Sequence, residues 1–176
     1  MRLVGKILAL VVAFLFMLLY FSPKVEAYYT LESLLKKEKI IFSDEKINDS
    51  GFTISLENSK LYYNGVYGGE IEDISLTSLF LYNRLEFNNA YLNSALANFL
   101  PKKIEYLNLT YSIINPINIT INGRGDIGEI SGFINPFEKL VHIELNVDKK
   151  QKTKYSALLR KFKVDDKGVL VYELRY

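Results

Sequence analysis

The chain has 176 residues, 49% hydrophobic and 14% aromatic, which suffices for one modest core and leaves little room for a second domain. Its net charge of +2 lies wholly in the first 27 residues, through Arg2, Lys6, Lys24 and Glu26. Residues 28–176 therefore carry 19 basic and 19 acidic side chains, without the positive excess typical of a nucleic-acid binder, and the absence of cysteine excludes disulfides, thiolate nucleophiles and cysteine metal sites.

Residues 1–27 (MRLVGKILALVVAFLFMLLYFSPKVEA) hold no charge between Ile7 and Phe21. The 19 residues from Leu3 to Phe21, at about 1.5 Å each, cover roughly 28 Å as a helix, close to the hydrocarbon thickness of a bilayer. A cleaved signal peptide competes with an uncleaved anchor, because Val25-Glu26-Ala27 offers small residues for a cleavage site. The length of the apolar run and the crowding of Pro23, Lys24 and Glu26 favour the anchor. Arg2 and Lys6 then predict a cytoplasmic N-terminus with the body on the other side, a bias that Lys36, Lys37 and Lys39 oppose.

Residues 28–39 (YYTLESLLKKEK) place Leu31, Leu34 and Leu35 at helical spacing, with Thr30 as a candidate N-cap and Glu32 in the first turn. From Ile40 the period becomes alternating. Phe52, Ile54 and Leu56 share one strand face, as do Ile117, Ile119 and Ile121, and Val141, Ile143, Leu145 and Val147; a strand around Ile71 to Leu76 shows a phase slip near Asp73. Turn signals recur at Asn48-Asp-Ser-Gly51, Asn64-Gly65, Gly68-Gly69, Asn122-Gly123, Asn135-Pro136 and Asp166-Lys-Gly168. Helical segments are predicted at Leu92–Phe99 and Tyr155–Phe162, and a last strand at Gly168–Tyr176. The prediction is a mainly β protein: a single N-terminal transmembrane helix (1–27), a short amphipathic helix (28–39) and a curved antiparallel β-meander domain (40–176) with two or three short helices in all.

Gly123, Gly125 and Gly128 spell G-x-G-x-x-G, but the following Glu129–Pro136 carries Gly132 and Pro136 and reads as a strand, whereas a dinucleotide site needs a helix there. The embedded Arg124-Gly125-Asp126 is too short to indicate a receptor ligand. The spacing predicts instead a bent strand or bulge where another backbone comes close. His142 is the single histidine, with neighbours that point to the opposite strand face, so it has no histidine or cysteine partner for a metal or a base role. Carboxylates cluster at Glu70, Glu72 and Asp73 and at Asp165 and Asp166, in ordinary solvated contexts. No catalytic motif is present, so no enzyme, cofactor or metal site is expected.

The segments FSPK (21–24), GFTISLENSKLYY (51–63) and PINITINGRGDIGEISGFINPFEKLVHIEL (116–145) together resemble the inner-membrane protein N family of bacterial type II secretion, of the AsmA-like group. The resemblance implies a single-pass inner-membrane protein with its body in the periplasm, without enzymatic activity, acting by interaction with envelope proteins as a secretion accessory. The alternative is lipid binding or transfer, in which Phe52, Ile54, Leu56, Ile117, Ile119, Ile121, Ile143 and Leu145 line an apolar groove for phospholipid rather than a filled core. Lys149, Lys150, Lys152 and Lys154 are then candidate contacts to lipid head groups. A third expectation, a soluble domain released after Ala27, follows if the first segment is cleaved.

Overall fold

The computed structural model describes residues 2–21, 24–79, 81–93, 101–166 and 168–176. Helices α1 (Arg2–Tyr20) and α2 (Lys24–Lys37) precede strands β1 (Ile40–Ser43), β2 (Lys46–Asp49), β3 (Thr53–Tyr63), β4 (Val66–Leu79), β5 (Tyr82–Leu92) and β6 (Lys103–Ser112). Strands β7 (Asn115–Gly125), β8 (Gly128–Asn135) and β9 (Leu140–Asn146) follow, then the short helices α3 (Lys149–Lys154) and α4 (Ser156–Leu159), and strands β10 (Lys163–Val164) and β11 (Leu170–Arg175). All eleven strands form one open antiparallel sheet in the order β1-β3-β4-β5-β6-β7-β8-β9-β11-β10, with β2 also pairing β3. The expected mainly β meander is present.

Register explains how alternation builds two faces. Residues directly opposed in neighbouring strands point to the same side. One row reads Ile54, Leu76, Leu85, Leu109, Ile121, Gly132, Ile143, Tyr172, and the next Leu56, Ile74, Phe87, Leu107, Gly123, Ile130, Leu145, Leu170. The opposite face carries the row Ser55, Ser75, Glu86, Asn108, Asn122, Ser131, Glu144. One side of the sheet is thus apolar from β3 to β11, and the other is polar.

Alternation breaks along one line. Leu56 and Ser59 are both buried, as are Ile71 and Ile74, although residues three apart in a regular strand face opposite ways. The break falls where Asp44 (φ 63°), Asn58 (φ 58°) and Asn89 (φ 50°) adopt left-handed backbone, and where the β6–β7 register shifts between Ile104 and Tyr106. Asn and Asp tolerate this conformation through short polar side chains. The phase slip expected near Asp73 is therefore part of an irregularity that runs across the sheet as far as β6 and returns Ile71, Ala90 and Ile104 to the apolar side.

Two buried clusters lie on the apolar face at opposite ends of the strand order. Tyr28, Ile54, Leu56, Ile71 and Ile74 form one; Ile127, Leu145, Val147, Tyr155, Leu159 and Leu170 form the other, covered by α3 and α4. Between them the rows pass through Gly123 and Gly132, which contribute no side chain. A Cβ at Gly123 would lie 2.9 Å from Leu107 Cδ1 and 3.0 Å from the Tyr106 carbonyl, so glycine lets β6 and β7 approach. The expected close backbone approach is present, while the predicted bend is a two-residue hairpin turn, Asp126-Ile127, between the paired residues Gly125 and Gly128.

Several boundaries differ from expectation. Helix α2 starts at Lys24, so Thr30 lies inside it and its hydroxyl donates to the Glu26 carbonyl (2.9 Å) instead of capping, while Glu32 pairs with Lys36 at 2.7 Å. The predicted Tyr155–Phe162 helix is replaced by α3 and α4, and α3 opens with the Asp148 N–H donating to the Gln151 side chain at 3.0 Å. Leu92 ends β5, and the rest of the predicted Leu92–Phe99 helix lies outside the described residues except Asn93. Among the described residues no single helix is long and apolar enough to cross a membrane; α1 and α2 meet that requirement of length and composition only as a pair, bent by 42°.

Candidate functional site

Helix α2 lies against the first cluster: Tyr28 is 8% exposed, and Tyr28 and Leu35 line a cavity of about 500 Å³ with residues of β1 and β3–β6. From the sheet, Ile54, Leu56, Ile74, Leu85, Phe87 and Leu107 form much of its wall. The volume falls inside the roughly 300–1,000 Å³ range of small-ligand sites, and the wall is hydrocarbon almost throughout. A wall of this kind can hold an apolar chain by desolvation, at about 0.8 kcal/mol per methylene buried.

Polar groups hold the cover in place from outside the cavity. The Tyr28 hydroxyl donates to Glu45 Oε1 at 2.8 Å, joining α2 to the β1–β2 connection. Burial, and then the hydrogen bond and charge of Glu45, push this phenol well above its ordinary pKa, so it stays a donor across the physiological range. Lys24 is 5% exposed and its Nζ donates to the Leu19 carbonyl at 2.6 Å, which ties the start of α2 to the last turn of α1.

Of the eight residues predicted to share one groove, Ile54 and Leu56 line the cavity. Ile121, Ile143 and Leu145 share the apolar side, yet Leu145 belongs to the α3–α4 cluster with Ile143 packed against it. There the filled-core expectation describes the structure, because Tyr155 and Leu159 occupy the face. Ile119 is half-buried opposite Ile134. Ile117 is 53% exposed, since β7 runs beyond the last paired residues of β8 at that end. Phe52 precedes β3 and packs edge-on against Phe16 (6.3 Å) and Tyr20 (5.4 Å) of α1.

The lysines Lys149, Lys150, Lys152 and Lys154 lie on α3, beyond the end of β9. Since Phe52 marks the other end of the strands, this tetrad sits at the opposite end from the α1 contact. Lys154 Nζ donates to the Tyr155 hydroxyl at 2.8 Å and lies 4.7 Å from its ring. His142 lies on the polar face, 3.0 Å from Glu173 and 3.1 Å from Glu144, and stacks on Phe133 at 5.0 Å. Among the described residues no group of three His, Asp or Glu side chains is placed to hold a metal ion.

Sequence reasoning missed Tyr28, Leu35, Phe87, Ala90 and Leu107 as cavity residues. The alternation of Leu85-Glu-Phe87 and Leu107-Asn-Leu109 signals apolar strand faces, whereas the pairing that brings them under α2 is a matter of register. No protein-family model, curated protein or solved structure matches the chain.

Proposed function

We propose that the chain is a non-enzymatic, membrane-tethered module of the bacterial envelope that holds the acyl chain of a lipid between α2 and the apolar face of β3–β6. The observation that carries this reading is the hydrocarbon-lined cavity of about 500 Å³ beneath Tyr28 and Leu35. Tethering through α1 is supported by apolar side chains exposed around the helix, among them Val4, Leu8, Leu10, Phe14 and Met17, each at least 59% accessible. The resemblance to an inner-membrane family adds a single pass with the body in the periplasm.

Ala90 lines the cavity and is half-buried, so Ala90→Phe fills ligand space without opening a void. Native mass spectrometry with lipid extraction on the full chain should find acyl lipid at near-stoichiometric occupancy in the wild type. Occupancy should fall at least about tenfold in the variant, the loss of roughly two methylenes of burial, at an unchanged or raised melting temperature. Equal occupancy in both chains removes the cavity as the site. A folded wild type free of lipid favours action through protein partners alone.

A further inference from the structure

Antiparallel register divides the loops between two rims of the sheet. The near rim carries the segment Ser50–Phe52 before β3, the β4–β5 turn with Leu81, the β6–β7 turn Ile113-Ile114, the β8–β9 turn at 136–139 and the terminal Tyr176. The far rim carries Asn64-Gly65, Asp126-Ile127 and α3.

The near rim breaks the usual chemistry of turns. Two-residue hairpin connections favour Asn, Asp and Gly, and their side chains meet water. Here the tips are Ile113 (54% exposed) and Ile114 (92%), with Phe137 at 80%, Leu81 at 55% and Tyr176 at 61%. At the far rim the corresponding tips are Asn64-Gly65 and Asp126, and the apolar Ile127 turns inward to 2% exposure. The exposed Tyr63 and Val66 there flank their turn within β3 and β4. Apolar residues displayed where the backbone gains nothing from them indicate a surface that meets something apolar.

The occupant follows from continuity with α1. Phe16 and Tyr20 pack on Phe52, and Gly51 has no Cβ because one would run into the Tyr20 ring. Backbone bonds join elements along this rim, from the Ser78 N–H to the Phe52 carbonyl (3.0 Å), the Ile113 N–H to the Leu81 carbonyl (2.9 Å), and the Tyr176 N–H to the Lys139 carbonyl (3.0 Å). A helix immersed in lipid and seated on Phe52 brings this rim to the lipid surface.

We propose that the near rim is a membrane-contact edge, in which Ile113, Ile114 and Phe137 enter the boundary between head groups and acyl chains of the bilayer that holds α1. The inference rests on the reading of α1 as an anchor. It also predicts that the body lies against the membrane rather than hanging free from a linker.

The chain has no cysteine, so single cysteines report single sites. Full-length variants Leu10→Cys, Ile114→Cys, Phe137→Cys and Lys152→Cys, labelled with a polarity-sensitive fluorophore, are reconstituted into phosphatidylcholine/phosphatidylglycerol vesicles. Quenching by nitroxide lipids then reads depth. The expected result is Leu10 deep in hydrocarbon, Ile114 and Phe137 about 5–10 Å below the head-group boundary, and Lys152 in water. Ile114 and Phe137 in water with Leu10 deep overturns the contact edge and leaves the anchor standing. Lipid exposure at Lys152 equal to that at Ile114 overturns the rim's specificity, and Leu10 in water overturns anchor and edge together.

Discussion

His142 shows how one side chain on the polar face responds to pH. Burial lowers its pKa, and hydrogen bonds donated to the Glu144 and Glu173 carboxylates, with their charges, outweigh that and raise it above the ordinary histidine value. The folded state therefore binds the proton more tightly than the unfolded chain, whose histidine titrates near about 6.5. The resulting stabilisation is fully present below that value and is lost as pH rises through the higher folded pKa. The melting temperature of the wild type should fall across this window more steeply than that of His142→Gln; parallel curves would remove the Glu144 and Glu173 contacts as the cause. The sequence placed His142 on the polar side of its strand, since Val141 and Ile143 flank it. Glu173 was not legible, because its position opposite His142 depends on the β9–β11 pairing across the α3–α4 excursion.

Helix α2 was legible as amphipathic, but its start was not, because the apolar run before it supplied no cap and Thr30 offered a misleading one. Strands were legible where a period of two persists, as in Ile117-Asn-Ile-Thr-Ile121, and obscured where Asn58 and Asn89 reverse the side-chain sense. The hydrogen bond between Tyr28 and Glu45 gives α2 a specific attachment, worth about 0.5–1.5 kcal/mol. Tyr28→Phe should therefore speed amide hydrogen exchange over Lys24–Lys37 by about two- to tenfold while β7–β9 are unaffected. Unchanged exchange in α2 would show that apolar packing alone holds the helix.

Across the whole molecule, strands from β4 to β8 pair only with their neighbours in sequence, and the two apolar clusters share no residue. Stability in such an arrangement is local and approximately additive, as in repeat proteins. Leu145→Ala removes a 5%-exposed side chain from the α3–α4 cluster, at a cost of about 2–5 kcal/mol. Hydrogen exchange should accelerate in β8, β9 and β11 and stay protected in β3–β5; uniform acceleration would mean a single cooperative unit. The turn signals marked the meander only in part, since Gly68-Gly69 lies inside β4, Asn122-Gly123 lies inside β7 and the turn at Ile113-Ile114 offered none, and the division into one filled and one hollow half depends on what covers each half.

The same neighbour-only pairing makes the trough beneath α2 extensible. Each further hairpin spliced into the meander adds two strand spacings, about 10 Å, and brings its own apolar residues without disturbing pairs elsewhere in the sheet. Under the acyl-chain reading proposed above, chain length would then be encoded by hairpin number, and the narrow tolerance of a closed barrel, whose strand count and stagger must agree, would not apply.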